Sequence, residues 1–467
     1  MFLSSENALE NELKACHAIG SSSLYCKQIE NGSDRIRRHE ASKLLRGFKQ
    51  AFSEQTITAI GRSTGFFKRE RKVTPMKMMM SLLSCFAGGQ STTLADVQRS
   101  YNALSPESMA YKPFHNQLSK AAFARFMQEL ASHVLSTLVV EVLKPSRAGL
   151  LAEFGRVLIQ DGSSFAVKDA LHRHYPGRFT TVSPAAVELH VTWNLCRESI
   201  EQVVLTPDTF TERAELPPAD SLRGDLLLAD RGYFDRDYLR AVAAHGGHFL
   251  VRAQSGINPV IEAVNSGTRG SRVVGHPLKD VRNRLSKDRP NDLMVRWQLG
   301  RESLCCRVVC YWNAKSRQFV YLATNLPAAR YDAASVSQVY RLRWQIELLF
   351  KEWKSHANLR AFSTAKPAIV EGLIWAAIVV AAVKRYLAHS AQIIAEVATS
   401  TLRTARCAWQ VIPAIVEALL ASAPRRLRAA FMRAIEYLAL NAQRAHPHRD
   451  RRTGRLATGL KPIFRAA

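Results

Sequence analysis

Two short apolar runs, each closing on an aspartate, constrain this chain most: RVLIQDG at 156–162 and DLLLAD at 225–230. Runs of this length between polar flanks read as strands buried in a sheet rather than as helices. Each ends on a carboxylate, Asp161 or Asp230, where a solvated loop acid is not expected. A strand-end Asp is often only a turn or cap residue. Acids are scarce here, however, with 39 Asp and Glu against 65 Lys and Arg. Two of them at the ends of core strands are therefore informative.

The texture around these runs divides the 467 residues. Residues 1–40 are polar and Ser-rich and predict a loosely ordered leader. From 41 to 150 the pattern is helical. TPMKMMMSLLSCFA (74–87) opens on Thr-Pro and stops at Gly88-Gly89, STTLADVQRSYNAL (91–104) starts at a Ser/Thr cap, and 113–143 is amphipathic. Short helices with tight turns suit a helix-turn-helix-like DNA-binding module, and also a plain bundle. The basic clusters Arg35–Arg38 and Lys68–Lys72 favour DNA.

At about 155 strands begin. VELHVTWNLC (187–196) and IEQVVLT (200–206) are hairpin-spaced, DLLLAD leads into the helix-like DRDYLRAVAAHG (235–246), and HFLVRAQ (248–254) closes the set. Hairpin-spaced strands followed by strand–helix–strand predict a mixed sheet. A β-rich insertion carried on that sheet is expected over 255–327, with MVRWQLG, ESLCCRVVCYWN and RQFVYLATNLP as its strands. From 333 the chain is helical again. Residues 365–467 are expected to form a C-terminal helical region with a basic tail, since 401–467 holds 13 Arg and Lys against three acids.

The formal charge of +26 favours a polyanion, through counterion release from a phosphate backbone. Acidic polysaccharide and membrane surfaces also attract basic proteins. The most apolar stretch, Leu373 to Val383, is 11 residues, against about 20 for a membrane span. It reads as a buried helix. MFLSSENALENELK has neither the basic n-region nor the apolar h-region of a targeting signal. Cys305, Cys306 and Cys310 cluster but lack the spaced pairs of a zinc site, and read as reduced thiols used as small hydrophobes. A cytoplasmic partner of nucleic acid, with no membrane, is the expectation.

A third acid arrives with company. On SVSQVYRLRWQIELLFKEWKSH (335–356), Tyr340, Arg343, Glu347 and Lys354 follow at intervals of three, four and seven. At ~100° per residue they share an arc of about 60°. Leu342, Ile346, Leu349, Phe350 and Trp353 form an apolar stripe beside them. One face would pack on the sheet while its neighbour presents an acid between a phenol and two cations. An ordinary surface helix with Arg–Glu and Glu–Lys pairs carries the same pattern. Three converging carboxylates are also what metal-dependent phosphoryl chemistry needs, to hold two Mg²⁺ ions ~4 Å apart. Magnesium keeps waters, so two or three side-chain carboxylates suffice.

Taken in order, DGSS after one strand, ADRGYF after a second and Y-x-x-R-x-x-x-E-x-x-x-x-x-x-K on a late helix resemble the DDE transposases of bacterial insertion sequences. The branch is the one defined by the Y-R-E-K signature, insertion-sequence family four. AAVELHVTWNL between the aspartates and RLRWQIELLFKEWK around the glutamate agree, and the resemblance spans about residues 42–390. It implies an α/β fold: a ribonuclease-H-like mixed sheet core (151–254 and 328–364), the β-rich insertion, and flanking N-terminal and C-terminal helical regions. It implies Asp161, Asp230 and Glu347 as the catalytic triad, binding two Mg²⁺ ions for which Mn²⁺ can substitute. Separations of 69 and 117 residues suit a core interrupted by an insertion.

By the same resemblance, Tyr340, Arg343 and Lys354 would grip phosphates at the transposon end. A guanidinium and an ammonium beside a metal site would offset phosphate charge. Arg231 would do likewise, or pair with a core carboxylate. The implied reaction is cut-and-paste transposition, through strand cleavage, a hairpin and strand transfer into target DNA. Relatives stack an extruded base on an aromatic of the insertion. Trp297 and Trp312 are the candidates here, with sheet-core tryptophans as the alternative. The implied partners are double-stranded DNA (terminal inverted repeats and target) and a second copy of the chain, through about 365–440. The implied location is the bacterial cytoplasm, on the nucleoid.

Three other classes compete. A non-cleaving DNA-binding relative, acting as regulator or inhibitor, would share these motifs. A glycoside hydrolase would need a proton donor of raised pKa, which the cations flanking Glu347 disfavour. A structural RNA-binding protein would not require three acids at the ends of its elements.

Overall fold

A computed structural model describes residues 24–69, 73–88, 93–104, 108–140, 149–356, 362 and 364–445. The chain begins with helices: α1 (Leu24–Ala51), α2 (Glu54–Ser63), α3 (Pro75–Ala87), α4 (Leu94–Ala103), α5 (Tyr111–Leu118) and α6 (Ala121–Thr137). Local chemistry sets their starts. Thr74 caps α3, with Pro75 in its first turn, where a missing N–H costs little. Thr93 and Asp96 cap α4 reciprocally. The amphipathic stretch from 113 is two helices, parted at Ser119-Lys120. The boundary expected at residue 40 falls inside α1, because Leu44, Leu45 and Phe48 anchor that helix in the core. Residues 1–23 of the expected leader lie outside the described residues.

Ten strands then form one sheet: β1 (Val157–Ala166), β2 (Pro176–Phe179), β3 (Ser183–Asn194), β4 (Ser199–Pro207), β5 (Leu226–Ala229), β6 (His248–Arg252), β7 (Val260–Ser266), β8 (Asn291–Leu299), β9 (Glu302–Asn313) and β10 (Gln318–Thr324). β1, β3 and β4 pair antiparallel, whereas β1, β5 and β6 pair parallel. A helix, α7 (Arg236–Ala244), makes the crossover from β5 to β6. The order β4-β3-β1-β5-β6, antiparallel on one side of β1 and parallel on the other, is a ribonuclease-H-like core. The insertion is continuous with it. β10 pairs antiparallel with β6, Leu322 opposite Arg252 and Thr324 opposite Leu250. That pairing satisfies the backbone groups an edge strand would otherwise expose.

The remaining helices are α8 (Ala333–Tyr340), α9 (Trp344–His356), α10 (Pro367–Ala395), α11 (Thr401–Cys407), α12 (Ile412–Leu420) and α13 (Pro424–Asn441). Strand alternation gives the sheet two apolar faces. Val157 and Ile159 of β1 and Leu226 and Leu228 of β5 join the core that also holds the N-terminal and C-terminal helices. Leu158, Leu227 and Ala229 join a second core with α7 and the insertion strands.

The two helical regions are therefore not independent bodies. α10 packs on α3, α6 and α13. At Gly372 it lies so close to α6 that a Cβ would stand 2.2 Å from the Phe123 ring, and the Tyr386 hydroxyl donates to Leu44 O at 2.5 Å. The apolar stretch at 373–383 is the middle of this 29-residue helix, which is long and apolar enough to cross a membrane. Yet 72% of its most apolar window is buried in the fold. Lys384, which ends the run in sequence, is buried too and donates to Ala405 O. The basic tail beyond 445 lies outside the described residues.

Candidate active site

β1 and β5 bring the two aspartates together. Their parallel register closes with Gln160 opposite Ala229, so Asp161 and Asp230 come next on strands ~4.8 Å apart. Alternation points both toward the face that holds Ile159 and Leu228. The carboxyl end of parallel strands is where open α/β sheets bind ligands. One expectation needs correcting. β1 does not end at Asp161 but runs on to Ala166, with Asp161 opposite Val191 of β3. The antiparallel partner β3 is long enough to keep pairing after β5 has stopped. β5 does stop, and Asp230 opens a 3₁₀ turn at Arg231–Tyr233.

Glu347 enters from α9. The helix expected over 335–356 is interrupted, since a 3₁₀ turn at Arg341–Arg343 separates α8 from α9. Tyr340 and Glu347 are thus on different helices, and Arg343 is in the joint. The apolar stripe is buried as its spacing required, while the Glu347 side chain is 40% exposed. The three acids, with Arg343, Lys351 and Lys354, line one pocket of about 440 Å³.

The cations expected to reach for DNA are engaged within the protein. Arg343 bridges two acids, Nη1 donating to Asp161 Oδ2 at 2.7 Å and Nη2 to Glu347 Oε1 at 2.9 Å. Tyr340 is buried, and its hydroxyl donates to Asp230 Oδ1 at 3.1 Å. Lys354 Nζ donates to Ser164 O at 2.7 Å. Arg252, at the end of β6, approaches Asp230 Oδ1 at 3.9 Å. Sequence reasoning missed Arg252, although alternation along the third parallel strand would have found it.

Burial pushes the Asp161 carboxyl up to about 7. The Arg343 guanidinium and the Gly162 N–H oppose that rise, and the charges of Asp230 and Glu347 add to it. A buried acid crowded by two like charges is relieved by a cation, and the guanidinium of Arg343 is the one in place. Among the described residues, no three His, Cys, Asp or Glu side chains form a preassembled metal centre. The donors are all hard carboxylate oxygens around a cation position, which fits a divalent ion such as Mg²⁺.

The strand is backed by a polar layer that the sequence did not single out. Gly162 faces the second side of the sheet, where a Cβ would stand 2.6 Å from Glu188 Oε1. Glu188 is held by Arg178 Nη2 at 2.9 Å, and Arg178 also donates to Asp208 O and Glu212 Oε1. Burial raises the Glu188 carboxyl to about 7 against the pull of Arg178. Beside it, the His190 imidazole is pushed down to about 4, by burial and then by the charge of Arg178. Its ring nitrogens meet Tyr233 Oη at 3.2 Å and Thr206 Oγ1 at 3.0 Å.

The other candidates lie apart. Arg231 is exposed and has no ion pair with a described residue. Trp297 is only 4% exposed and packs 5.9 Å from Phe234. It is a sheet-core tryptophan, because its position on β8 alternates inward. Trp312 is partly open, with Lys287 Nζ 4.5 Å from its ring centroid and Phe319 edge-on at 5.1 Å. It lines a groove of about 820 Å³ with Arg282, Arg317 and Tyr321, on the face of the sheet away from the carboxylates. In the N-terminal helices, Lys68, Arg69, Lys120 and Arg125 line another groove, of about 1410 Å³.

The family description Transposase DDE domain matches residues 152–383, from just before β1 into α10. The transposase of insertion sequence IS1151 from Clostridium perfringens is 22% identical over 350 residues, 67% of this chain and 73% of that protein. That of IS231B from Bacillus thuringiensis subsp. berliner is 21% identical over 365 residues, 70% and 74% of the two chains. The chain belongs to the DDE transposases of insertion sequences. A solved structure, the piggyBac transposase synaptic complex with hairpin DNA, overlaps this transposase at a TM-score of 0.45 and 12% identity, over 88% of this chain and 89% of that one. Transposases of this class break and rejoin DNA with divalent metal.

Proposed function

We propose that this transposase performs cut-and-paste transposition of its insertion sequence, with Asp161, Asp230 and Glu347 as its catalytic acids. One observation carries the assignment: two aspartates on adjacent parallel strands share a pocket with a helix-borne glutamate. The pocket's carboxylates would hold two Mg²⁺ ions, or Mn²⁺ in their place, which would activate the attacking oxygen and relieve charge on the leaving one. Tyr340 orients Asp230 through its hydroxyl, and its buried phenol stays protonated. Arg343 and Lys354, lining the same pocket, and the exposed Arg231 supply positive charge to the scissile and flanking phosphates.

The DNA partner is double-stranded: the terminal inverted repeats of the element and the target. One strand is hydrolysed at the element end, and the freed 3′-hydroxyl attacks the opposite strand to close a hairpin. Water reopens the hairpin, and the same hydroxyl attacks the target. Of the two insertion tryptophans only Trp312, half-buried in a basic groove on the sheet face opposite the carboxylates, has a ring that an unpaired base could reach; Trp297 does not. The N-terminal groove with Lys68, Arg69, Lys120 and Arg125 suits a duplex backbone. Two copies of the chain would act on paired ends, in the cytoplasm of a bacterium and on its nucleoid.

The test is strand cleavage and hairpin formation on a duplex carrying the element end, with Mg²⁺ present. Wild type should cleave, while Asp161→Asn, Asp230→Asn and Glu347→Gln should each be slower by ~10³-fold or more. Equal trace activity in wild type and Asp161→Asn would leave a DNA-binding regulator in its place.

A further inference from the structure

The most unusual contact in the pocket is the one Arg343 makes. A guanidinium commonly grips a single carboxylate or phosphate with two parallel N–H bonds. Here the fork is split between two acids from different elements, Asp161 of β1 and Glu347 of α9. The Arg343 side chain is 8% exposed, and its Nε has no hydrogen-bond partner among the described residues. A cation of the protein therefore sits between two of the three acids assigned to metal.

Arg343 also has a way out. It lies in the 3₁₀ turn that interrupts the run from α8 into α9, and such mid-helix breaks often mark hinges. Its guanidinium is 5.5 Å from the ring of Trp344, which is 57% exposed, and 6.0 Å from that of Tyr340. The Trp344 face offers a resting place outside the pocket that keeps the guanidinium partly desolvated. Arg341, in the same turn, is exposed.

We propose that Arg343 is a counter-ion lock: in the DNA-free protein it fills the cation position between Asp161 and Glu347, and a DNA phosphate draws it out. The lock rests on the assignment of these acids as the metal site. A guanidinium and a divalent ion repel and compete for the same oxygens, so each disfavours the other. A phosphodiester at the pocket mouth gives Arg343 a bidentate partner and frees the carboxylates. Metal binding and DNA binding are then positively coupled, and by linkage each strengthens the other equally. The free transposase holds metal weakly, and full loading awaits the element end.

The coupling is read by Mn²⁺ binding to the full-length protein, followed by electron paramagnetic resonance without turnover. Without DNA, Arg343→Gln should bind Mn²⁺ about tenfold or more tighter than wild type, within the usual span of such couplings. Arg343→Lys, which keeps the charge but cannot span both acids, should fall between them. Arg252→Gln removes the same charge from the Asp230 side and should tighten binding far less. Addition of a pre-cleaved element-end duplex should tighten Mn²⁺ binding by wild type and leave Arg343→Gln nearly unchanged. Equal Mn²⁺ affinity in wild type and Arg343→Gln, with binding lost in Asp161→Asn, overturns the lock and keeps the metal site. An Arg252→Gln effect as large as that of Arg343→Gln reduces the lock to general electrostatics and also overturns it. Absence of Mn²⁺ binding in every protein, with and without DNA, overturns the metal site itself.

Discussion

Gly162 is the position at which packing behind the site should be felt most directly in the chemistry. In Gly162→Ala the new methyl would lie 2.6 Å from Glu188 Oε1 and 3.1 Å from Tyr233 Oη, where ordinary contact begins near 3.4 Å. Roughly 0.8 Å must be found, being 3.4 less 2.6. Glu188 cannot simply swing away, because Arg178 holds its other oxygen at 2.9 Å. The strand must give instead, and it carries Asp161 one residue earlier. Overpacking of this kind costs ~1–3 kcal/mol, which in a chain of 467 residues lowers Tm by only roughly 1–3 °C. A misplacement approaching 1 Å costs up to ~10²-fold in rate, so cleavage should slow by about 10- to 100-fold.

Thermal denaturation followed by circular dichroism and single-turnover cleavage of an end-containing duplex measure the two effects. Glu188→Asp withdraws the carboxylate by one methylene. Combined with Gly162→Ala it should therefore recover stability and rate, with a coupling of ~0.5–3 kcal/mol. A Gly162→Ala protein with wild-type Tm and rate, or a double variant no better than the single one, would refute this account of the strand.

The Asp292–Arg307 pair is buried, and Arg307 also donates to Leu326 O and Tyr331 O on the way to α8. Asp292→Ala leaves that charge alone and should cost ~3–5 kcal/mol, read as a depressed Tm. The two tryptophans of the insertion should separate cleanly. Trp297→Ala should lose ~3–5 kcal/mol of stability, whereas Trp312→Ala, at a half-buried ring, should lose less stability than Trp297→Ala and lose ~1–3 kcal/mol of affinity for DNA with an unpaired base. His190 titrates near 4 in the fold and near 6.5 when unfolded. The unfolded chain thus binds more protons between those values, and this residue lowers stability as pH falls from 6.5 to 4. Denaturant unfolding of His190→Asn should show less loss over that window than wild type, and an identical pH profile would exclude the assignment.

Local pattern carried much of the fold. The apolar runs at 156–160 and 225–229 became β1 and β5, and the Thr74-Pro75 and Thr93 signals became helix starts, because caps and burial periodicity act over a few residues. β2 and β7 were not legible, being short or polar strands whose partners, β3 and β8, are supplied from later in the chain. The stripe on α9 identified the face that packs, and with it the neighbouring face that bears Glu347.

By itself, then, the sequence determined the residue types of the site and the side of each element on which they stand. Tertiary structure alone decided that Gln160 pairs with Ala229, and so that Asp161 and Asp230 are neighbours across 69 residues of chain. It decided too that the insertion extends the sheet, that Trp297 is buried while Trp312 is only half-buried, and that Arg343 bridges Asp161 and Glu347. Periodicity reports contacts within a turn or along a strand. Register and charge pairing between distant elements depend on how whole layers pack, and no local pattern records that.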